Sequence, residues 1–456
     1  MKLIVNNVLC ESIHFVGIFG SGMSAIAQYL AGRGINISGS DRLLDSPDSA
    51  TVKQHLLRCG CSIFPQDGSG ISNKTSAICF STAIEESNSD IIAARNLGVP
   101  LLHRSDVLAA LVKTGKSIAV AGTSGKSTVV AMIFELLASC GKSPSLISGA
   151  ALRSLEQRGM MGNAYFGKSE LLIVEADESD GTLVKYEPYA SIILNISKDH
   201  KPEEEVLRMF ELLAAQSSWT AVNADVPKLS ALSASMTFGF CDSAQFRGSM
   251  TKIEPLSTTI TVGKTSYRLP MPGAHNASNL LSALCICLHL GCDSEKLSEA
   301  VAQFKGVDRR FEINYTASGV IVIDDFAHNP EKIRAAVSAA KNLSDKIIAV
   351  YQPHGFAPTR FLKNEYAKTF SEIFRANDAL CLLPIYYAGG SAVKDIRSQD
   401  IIELMGEIPF TAVAVDSRDA AVNIIKENAK KDDCVLLMGA RDPSLSSFKE
   451  HIIDCL

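Results

Sequence analysis

Short apolar runs rich in β-branched residues alternate with longer stretches of helical periodicity along almost the whole chain. The runs at 12–16, 35–38, 77–81 and 100–103 predict buried strands, because a strand covered on both faces reads as continuous hydrophobicity rather than as alternation. Polar and glycine-punctuated helical segments separate them, the first ending near Gly32 or Gly34, which predicts a small parallel α/β unit closing near Thr114. A second series has strands at 117–121, 170–174 and 190–195, a helix over 129–140, short Thr- and Ser-rich strands across 235–270 and an apolar helix over 280–290. A third series alternates strands at 319–323, 347–350, 379–383, 412–415 and 434–438 with helices from Pro330, near 362–376, at 400–405 and at 419–428. The pattern predicts an α/β protein of three domains: a Rossmann-like N-terminal domain (1–114), a central phosphate-loop domain (115–306) and a C-terminal Rossmann-like domain (307–456).

The strand at 117–121 runs directly into Gly122-Thr123-Ser124-Gly125-Lys126-Ser127-Thr128 and then into a helix. Such a strand–loop–helix holds a polyphosphate through closely approaching backbone N–H groups and a lysine at the helix N-terminus, and Ser127 could ligate Mg²⁺. Val120 stands where the full Walker pattern has a glycine. The next strand ends in EADESDG, so Glu175, Asp177, Glu178 and Asp180 gather at a strand end, placed either to hold a metal ion or as a solvated acidic turn. A further strand delivers Asp199 and His200 to the same edge. Asn276 and Asn279 flank the first turn of the 280–290 helix, as caps or as base-contacting amides. In the first domain Gly17, Gly20 and Gly22 open a helix and Asp41 follows the second strand, which suits a pyrophosphate and a ribose hydroxyl; a ligand-free tight turn uses the same residues. Asp324, Asp325 and His328 occupy a strand end before Pro330, a ligand-facing loop.

The formal net charge of -5 excludes a broadly electropositive surface and so a nucleic-acid partner, while leaving room for an anionic small molecule in a basic pocket. The twelve cysteines form no Cys-x-x-Cys pair and read as reduced, mostly buried thiols. No apolar run is long enough to span a bilayer and the N-terminus has no export signal, so a cytoplasmic protein without a membrane partner is expected.

GTSGKST, EADESD, NISKDH, GAHNASN, GVDRRFE and DDFAHNP occur in the order, and at about the spacing, of the Mur ligases, and the resemblance covers nearly the whole chain. GIFGSGMSAIA, SGSD, STAIEESN and LLHRSDVLAAL, with YQPHGFAPTR, IYYAGG and VLLMGARD, look most like the UDP-N-acetylmuramate:L-alanine branch. The resemblance implies an ATP- and Mg²⁺-dependent ligase of peptidoglycan precursor synthesis. It would activate the UDP-N-acetylmuramate carboxylate as an acyl phosphate, join it to L-alanine or another amine, and release ADP and phosphate. By the same resemblance Lys126 binds the β and γ phosphates, Ser127 the first Mg²⁺, and Glu175 and His200 a second, with Arg310 stabilising the transferring charge. ATP would also meet Gly122, Thr123, Ser124, Gly125, Thr128, His275, Asn276 and Asp325. The UDP-sugar would meet Gly17, Gly20, Gly22, Met23, Asp41, Ser81, His103 and Arg104, and the acceptor His328, His354 and Arg360. The protein would be a monomer or homodimer.

The chain departs from that pattern at Phe19, at Ser124, after His200 and, most consequentially, at Gly355 and Pro358, where alanine ligases usually carry arginines. Those arginines suit the carboxylate of an amino acid. Arg360 is one substitute; a ligase adding a preformed cell-wall peptide is the alternative. A nicotinamide-dependent oxidoreductase would leave GTSGKST, EADESD and Arg310 without a role, and a non-catalytic regulator descended from ligases would show no substrate-dependent ATP turnover.

Overall fold

A hairpin of β1 (Leu3–Val5) and β2 (Val8–Cys10) opens the computed structural model, which describes residues 3–179, 181–197, 201–387, 393–442 and 444–456. Asp180, Asp199, His200 and the end of the IYYAGG motif lie outside the described residues. The chain forms two compact units, one reaching to Ile253 and resuming from Ser257 to Val307, the other running from Asp308 to Leu456 with Glu254–Leu256.

The first unit holds two sheets. Strands β3 (Ser12–Val16), β4 (Asn36–Ser40), β5 (Ser62–Phe64), β6 (Ala77–Phe80) and β7 (Leu101–His103) pair in parallel in the order β5-β4-β3-β6-β7. Helices α1 (Ser21–Gly32), α2 (Ala50–Arg58), α3 (Ser89–Asn96) and α4 (Arg104–Lys113) connect them or lead onward. The second sheet begins with β8 (Lys116–Ala121), α5 (Lys126–Ser139), β9 (Ser145–Ile147), α6 (Arg153–Glu156), β10 (Ala164–Tyr165), β11 (Leu171–Ala176) and β12 (Ala190–Ile193). It continues through α7 (Glu203–Gln216), β13 (Trp219–Asn223), β14 (Met236–Gly239), β15 (Phe246–Glu254), β16 (Ser257–Val262) and β17 (Thr265–Leu269), and α8 (Ala274–His289) and α9 (Ser294–Ala302) come after it. The strand order is β10-β9-β11-β8-β12-β13-β14-β15-β16-β17, which puts the phosphate-loop strand β8 between the two strands that carry the acidic motifs.

One hydrophobic core runs through both sheets of this unit, from Leu3, Phe15, Leu30 and Val112 to Ala119, Leu172 and Phe210. Helix α1 lies close to β10: a Cβ on Gly32 would fall 2.6 Å from that of Phe166, and Asn163 donates to Ser21 O (3.0 Å) and accepts from Gln28 (2.9 Å). The joint near Thr114 is therefore short along the chain, and the packing continues across it from the first sheet into the second.

The second unit contains β18 (Glu312–Tyr315), β19 (Ile321–Asp325), α10 (Pro330–Ala340), β20 (Ile347–Gln352), α11 (Phe356–Ile373), β21 (Ala379–Leu382), α12 (Ser398–Met405), β22 (Thr411–Ala414), α13 (Arg418–Asn428), β23 (Cys434–Gly439) and α14 (Leu445–Cys455). The sheet order is β18-β19-β23-β20-β21-β22, parallel apart from β18. Separate cores flank its two faces, one around Tyr351 and Phe370, the other around Val350 and Phe448, which is doubly wound packing.

One element differs from expectation in a way that matters for the site. Helix α8 starts at Ala274, with Gly273 as its N-cap at φ +103, so Asn276 and Asn279 lie inside its first turns rather than flanking them. The first turns are polar and carry no apolar stripe, which hides the start from hydrophobic periodicity.

Candidate active site

The loop between β8 and α5 is shaped by two glycines with positive φ. Gly122 (φ +145) passes so close to β12 that a Cβ would lie 3.0 Å from that of Leu194, and Gly125 (φ +85) faces α8, where a Cβ would lie 2.5 Å from Asn279 Oδ1. Any other residue would strain the backbone and push these neighbours apart. Asn195, just beyond β12, braces the loop: its Oδ1 accepts from the Ser124 amide (2.9 Å) and the Thr123 hydroxyl (3.0 Å), and its Nδ2 donates to Ser124 O (3.0 Å). Ser127 and Thr128 are buried in the first turn of α5.

The Lys126 ammonium is nearly buried and donates to Gly122 O at 2.8 Å and to Glu178 Oε2 at 2.5 Å, with Asp177 Oδ1 at 3.5 Å. Burial alone would lower its pKa; Glu178 and Asp177 outweigh that and raise it, so it is fully cationic. Burial raises the Glu178 pKa despite Lys126. Glu175 takes a different position: its Oε1 accepts from Ser148 Oγ (2.7 Å) and the Gly149 amide (2.8 Å). The hydroxyl of Ser127 and the carboxylate of Glu175 are hard oxygen donors of the kind Mg²⁺ takes, and that ion commonly uses only one or two carboxylates together with phosphates. No group of three or more His, Cys, Asp or Glu converges as a metal cage among the described residues. Asn276 is buried and donates to Pro272 O at 2.8 Å, while His275 is exposed beside Gly273.

In the first sheet the expected sugar residues gather at the carboxyl ends of β3, β4, β6 and β7. Gly17 (φ +77) donates to Ser40 O at 2.8 Å, and Gly20 donates to Gly17 O at 3.2 Å. The Asp41 carboxylate accepts from the Phe19 amide (2.9 Å) and the Leu43 amide (3.0 Å), so it first of all holds the turn. Gly22 lies under Arg104, whose Nη1 occupies the space a Cβ there would need. His103 caps α4, its Nδ1 accepting from the Ser105 amide (3.3 Å), and its ring meets Phe80 edge-on. Ser81 follows β6, and Met23 belongs to the core.

In the second unit the Arg310 guanidinium lies 4.9 Å over the Phe326 ring. Its chain neighbour Arg309, at φ +54, is buried, with Nε 3.0 Å from Asp324 Oδ2 and Nη2 donating to Gly439 O at 2.8 Å. Burial pushes Asp324 up to about 6 even against Arg309. Asp325 accepts from the Phe311 amide (2.8 Å) and the Ala327 amide (2.8 Å), fixing the loop that carries Arg310. His328 and His354 meet at 5.4 Å between ring centroids. Arg360 pairs with Asp395, its Nε at 3.0 Å.

A phosphate loop with a carboxylate-flanked lysine, set between strands that end in acidic residues, defines an α/β enzyme that handles a nucleotide polyphosphate. Three family profiles match the chain: "Mur ligase family, catalytic domain" over residues 12–116, "Mur ligase middle domain" over 120–287 and "Mur ligase, glutamate ligase domain" over 309–441. The UDP-N-acetylmuramate--L-alanine ligase of Pelotomaculum thermopropionicum is 32% identical over 94% of this chain and 95% of its own, and that of Paenarthrobacter aurescens is 34% identical over 97% of each. The crystal structure of UDP-N-acetylmuramate-alanine ligase from Thermotoga maritima matches with a TM-score of 0.80 at 25% identity, covering 97% of this chain and 98% of that one. The chain belongs to the Mur ligase family. Mur ligases catalyse ATP-dependent amide ligation in peptidoglycan precursor synthesis, and this chain is an ATP-dependent ligase.

Asn195, Glu178 and Ser148 were not singled out as site residues by the sequence pattern. Glu178 stood inside EADESD but could not be told from its acidic neighbours, and only folding pairs Asn195 with Ser124 and Ser148 with Glu175.

Proposed function

We propose that this ligase joins the carboxylate of UDP-N-acetylmuramate to L-alanine through an acyl phosphate, releasing ADP and phosphate. Residues 1–114 would take the UDP-sugar, 115–306 ATP, and 307–456 the acceptor. The observation that carries the reading is Lys126, held cationic on the phosphate loop with Glu178 and Asp177 beside it. In phosphoryl transfer to a carboxylate both reactants are anionic, so catalysis is mainly charge neutralisation and alignment. Lys126 and the loop amides would bind the β and γ phosphates, and Arg310 would meet the charge that grows on the transferring group. Mg²⁺, held by Ser127 and Glu175 together with His200, would add Lewis-acid neutralisation of the phosphoryl oxygens. The Gly17–Gly22 turn, Asp41, Ser81, His103 and Arg104 would orient the sugar nucleotide, and His328 and His354 the amine.

No helix among the described residues is long and apolar enough to cross a membrane. A monomer or homodimer working in the cytoplasm, where its nucleotide substrates are found, fits this reading. A second reading, addition of a preformed cell-wall peptide, is favoured by Gly355 and Pro358 in place of arginines at the start of α11 and by the engagement of Arg360 with Asp395.

The experiment is phosphate release from ATP with UDP-N-acetylmuramate present, screened against single amino acids and short cell-wall peptides, with product masses in parallel. L-Alanine-dependent release with the matching mass gain is the expected result. Release only with peptides would select the second reading, and no release with any amine would overturn both.

A further inference from the structure

An amino acid's carboxylate needs a cation in the acceptor site, and the start of α11 offers none. Gly355 caps that helix at φ +69 and a Cβ on it would lie 3.2 Å from Pro358 Cδ, so the two residues fit as a pair that shapes the turn. The next cation along, Arg360, donates to Asp395 and to Val393 O (3.2 Å), and a guanidinium paired with a carboxylate carries little net charge to a substrate.

A different cation stands one loop away. Lys332, in the first turn of α10, places Nζ 3.4 Å from His328 Nε2. His328 Nδ1 lies 2.9 Å from Phe326 O, and a carbonyl only accepts, so Nδ1 carries the proton and Nε2 offers its lone pair to the ammonium. An ammonium bonded to a neutral imidazole keeps its whole charge, unlike one bonded to a carboxylate. The surroundings are rigid: His328 O accepts from Tyr366 (2.7 Å) and Tyr351 (3.2 Å), and Asn329 Oδ1 accepts from the Lys332 amide at 2.9 Å. The same cluster leads back to the chemistry, since His328 contacts Phe326 edge-on at 5.5 Å and Arg310 lies over the Phe326 ring. These groups sit at the carboxyl ends of β19 and β20, the edge where open α/β sheets bind ligands.

We propose that Lys332, oriented by His328, binds the carboxylate of the incoming amino acid and is a specificity-determining residue of this ligase. The inference rests on the reading of His328 and His354 as the acceptor side. It explains how the chain dispenses with guanidinium groups at 355 and 358: the charge has moved from α11 to the first turn of α10.

The test compares L-alanine with L-alaninamide, which lacks the carboxylate, in ATP- and UDP-N-acetylmuramate-dependent phosphate release. In Lys332→Gln the KM for L-alanine should rise about tenfold to a hundredfold, as for loss of a charge-assisted hydrogen bond. The KM for ATP and for the sugar nucleotide should stay within about twofold, L-alaninamide kinetics should not change, and Lys332→Arg should recover most of the affinity. If the wild type ligates L-alanine and Lys332→Gln leaves its KM unmoved, or raises the KM of both amines equally, the proposal alone is overturned. If the wild type turns over only with peptides, or with no amine, the proposal falls together with the L-alanine reading.

Discussion

Lys126 Nζ and Glu178 Oε2 stand 2.5 Å apart with both side chains nearly buried. A phosphate-binding lysine is thus already engaged by an anion of the protein's own, and the pair must be treated as one unit in any mutational test.

Lys126→Ala should abolish phosphate release while sparing binding of the sugar nucleotide. It should also lower stability, on the order of 3 kcal/mol, because a buried carboxylate loses its cation. The Glu178 pKa is already raised by burial and would rise further. A carboxyl whose folded pKa lies above its unfolded value favours the folded state below the unfolded pKa, and this contribution is lost as pH rises through the folded pKa. The variant should therefore regain thermal stability on acidification, whereas Lys126→Ala/Glu178→Gln should be stable at neutral pH, lack that dependence and remain inactive. Melting curves across pH on the two variants decide this.

Arg310→Ala should depress turnover about a hundredfold while changing ATP affinity much less, since its contact is with developing charge. An equal loss in both would make it a simple nucleotide contact. Steady-state kinetics with ATP as the varied substrate separate the cases.

Asp324 links that arginine to pH. Its folded pKa, about 6, exceeds the ordinary value, so its stabilising contribution is greatest below the unfolded pKa and declines as pH rises towards 6. Activity should run the other way, because only the ionised carboxylate holds Arg309, the neighbour of Arg310. The wild-type kcat profile should show an acidic limb near 6, and Asp324→Asn should have a lower kcat without that limb.

Ser148→Ala should remove one of the two hydrogen bonds that fix Glu175 Oε1. The expected outcome is a several-fold higher Mg²⁺ requirement with a kcat loss below about tenfold, as for partners that orient a metal-binding group. Titrating Mg²⁺ at saturating ATP would check it; an unaltered requirement would remove Glu175 from the metal site.

Much of the fold was legible beforehand because each strand of the parallel sheets is a buried apolar run closed by a glycine or an acidic cluster, so the strands β3, β8, β12 and β23 fall within a residue or two of their sequence patterns. What escaped was of two kinds. Helix α8 begins with a polar turn, and its start is set by the φ of Gly273, which no hydrophobic pattern reports. The bracing residues Asn195 and Ser148 act on loops distant in sequence, and Lys332 looks like any helix-surface lysine until His328 is seen beside it. Local periodicity carries the scaffold; partnership between loops exists only after folding.

Gly22 and Arg104 make the sugar site similarly testable. Gly22→Ala sets a methyl group where the guanidinium now lies, so the KM for the sugar nucleotide should rise at least about tenfold with the KM for ATP unchanged. Arg104→Ala in the same background should add little, because the first change already displaces the arginine.

The core that runs unbroken from Leu30 and Val112 into Leu172 and Phe210 has a consequence for anyone dissecting this enzyme. Cutting the gene after Thr114 would not liberate a module. It would leave the inner face of α4 and the Phe166-facing end of α1 as raw apolar surface, and the fragment would be expected to precipitate or be degraded. Sugar recognition and nucleotide recognition are inherited here as a single fused part, which can be exchanged between relatives only as a whole.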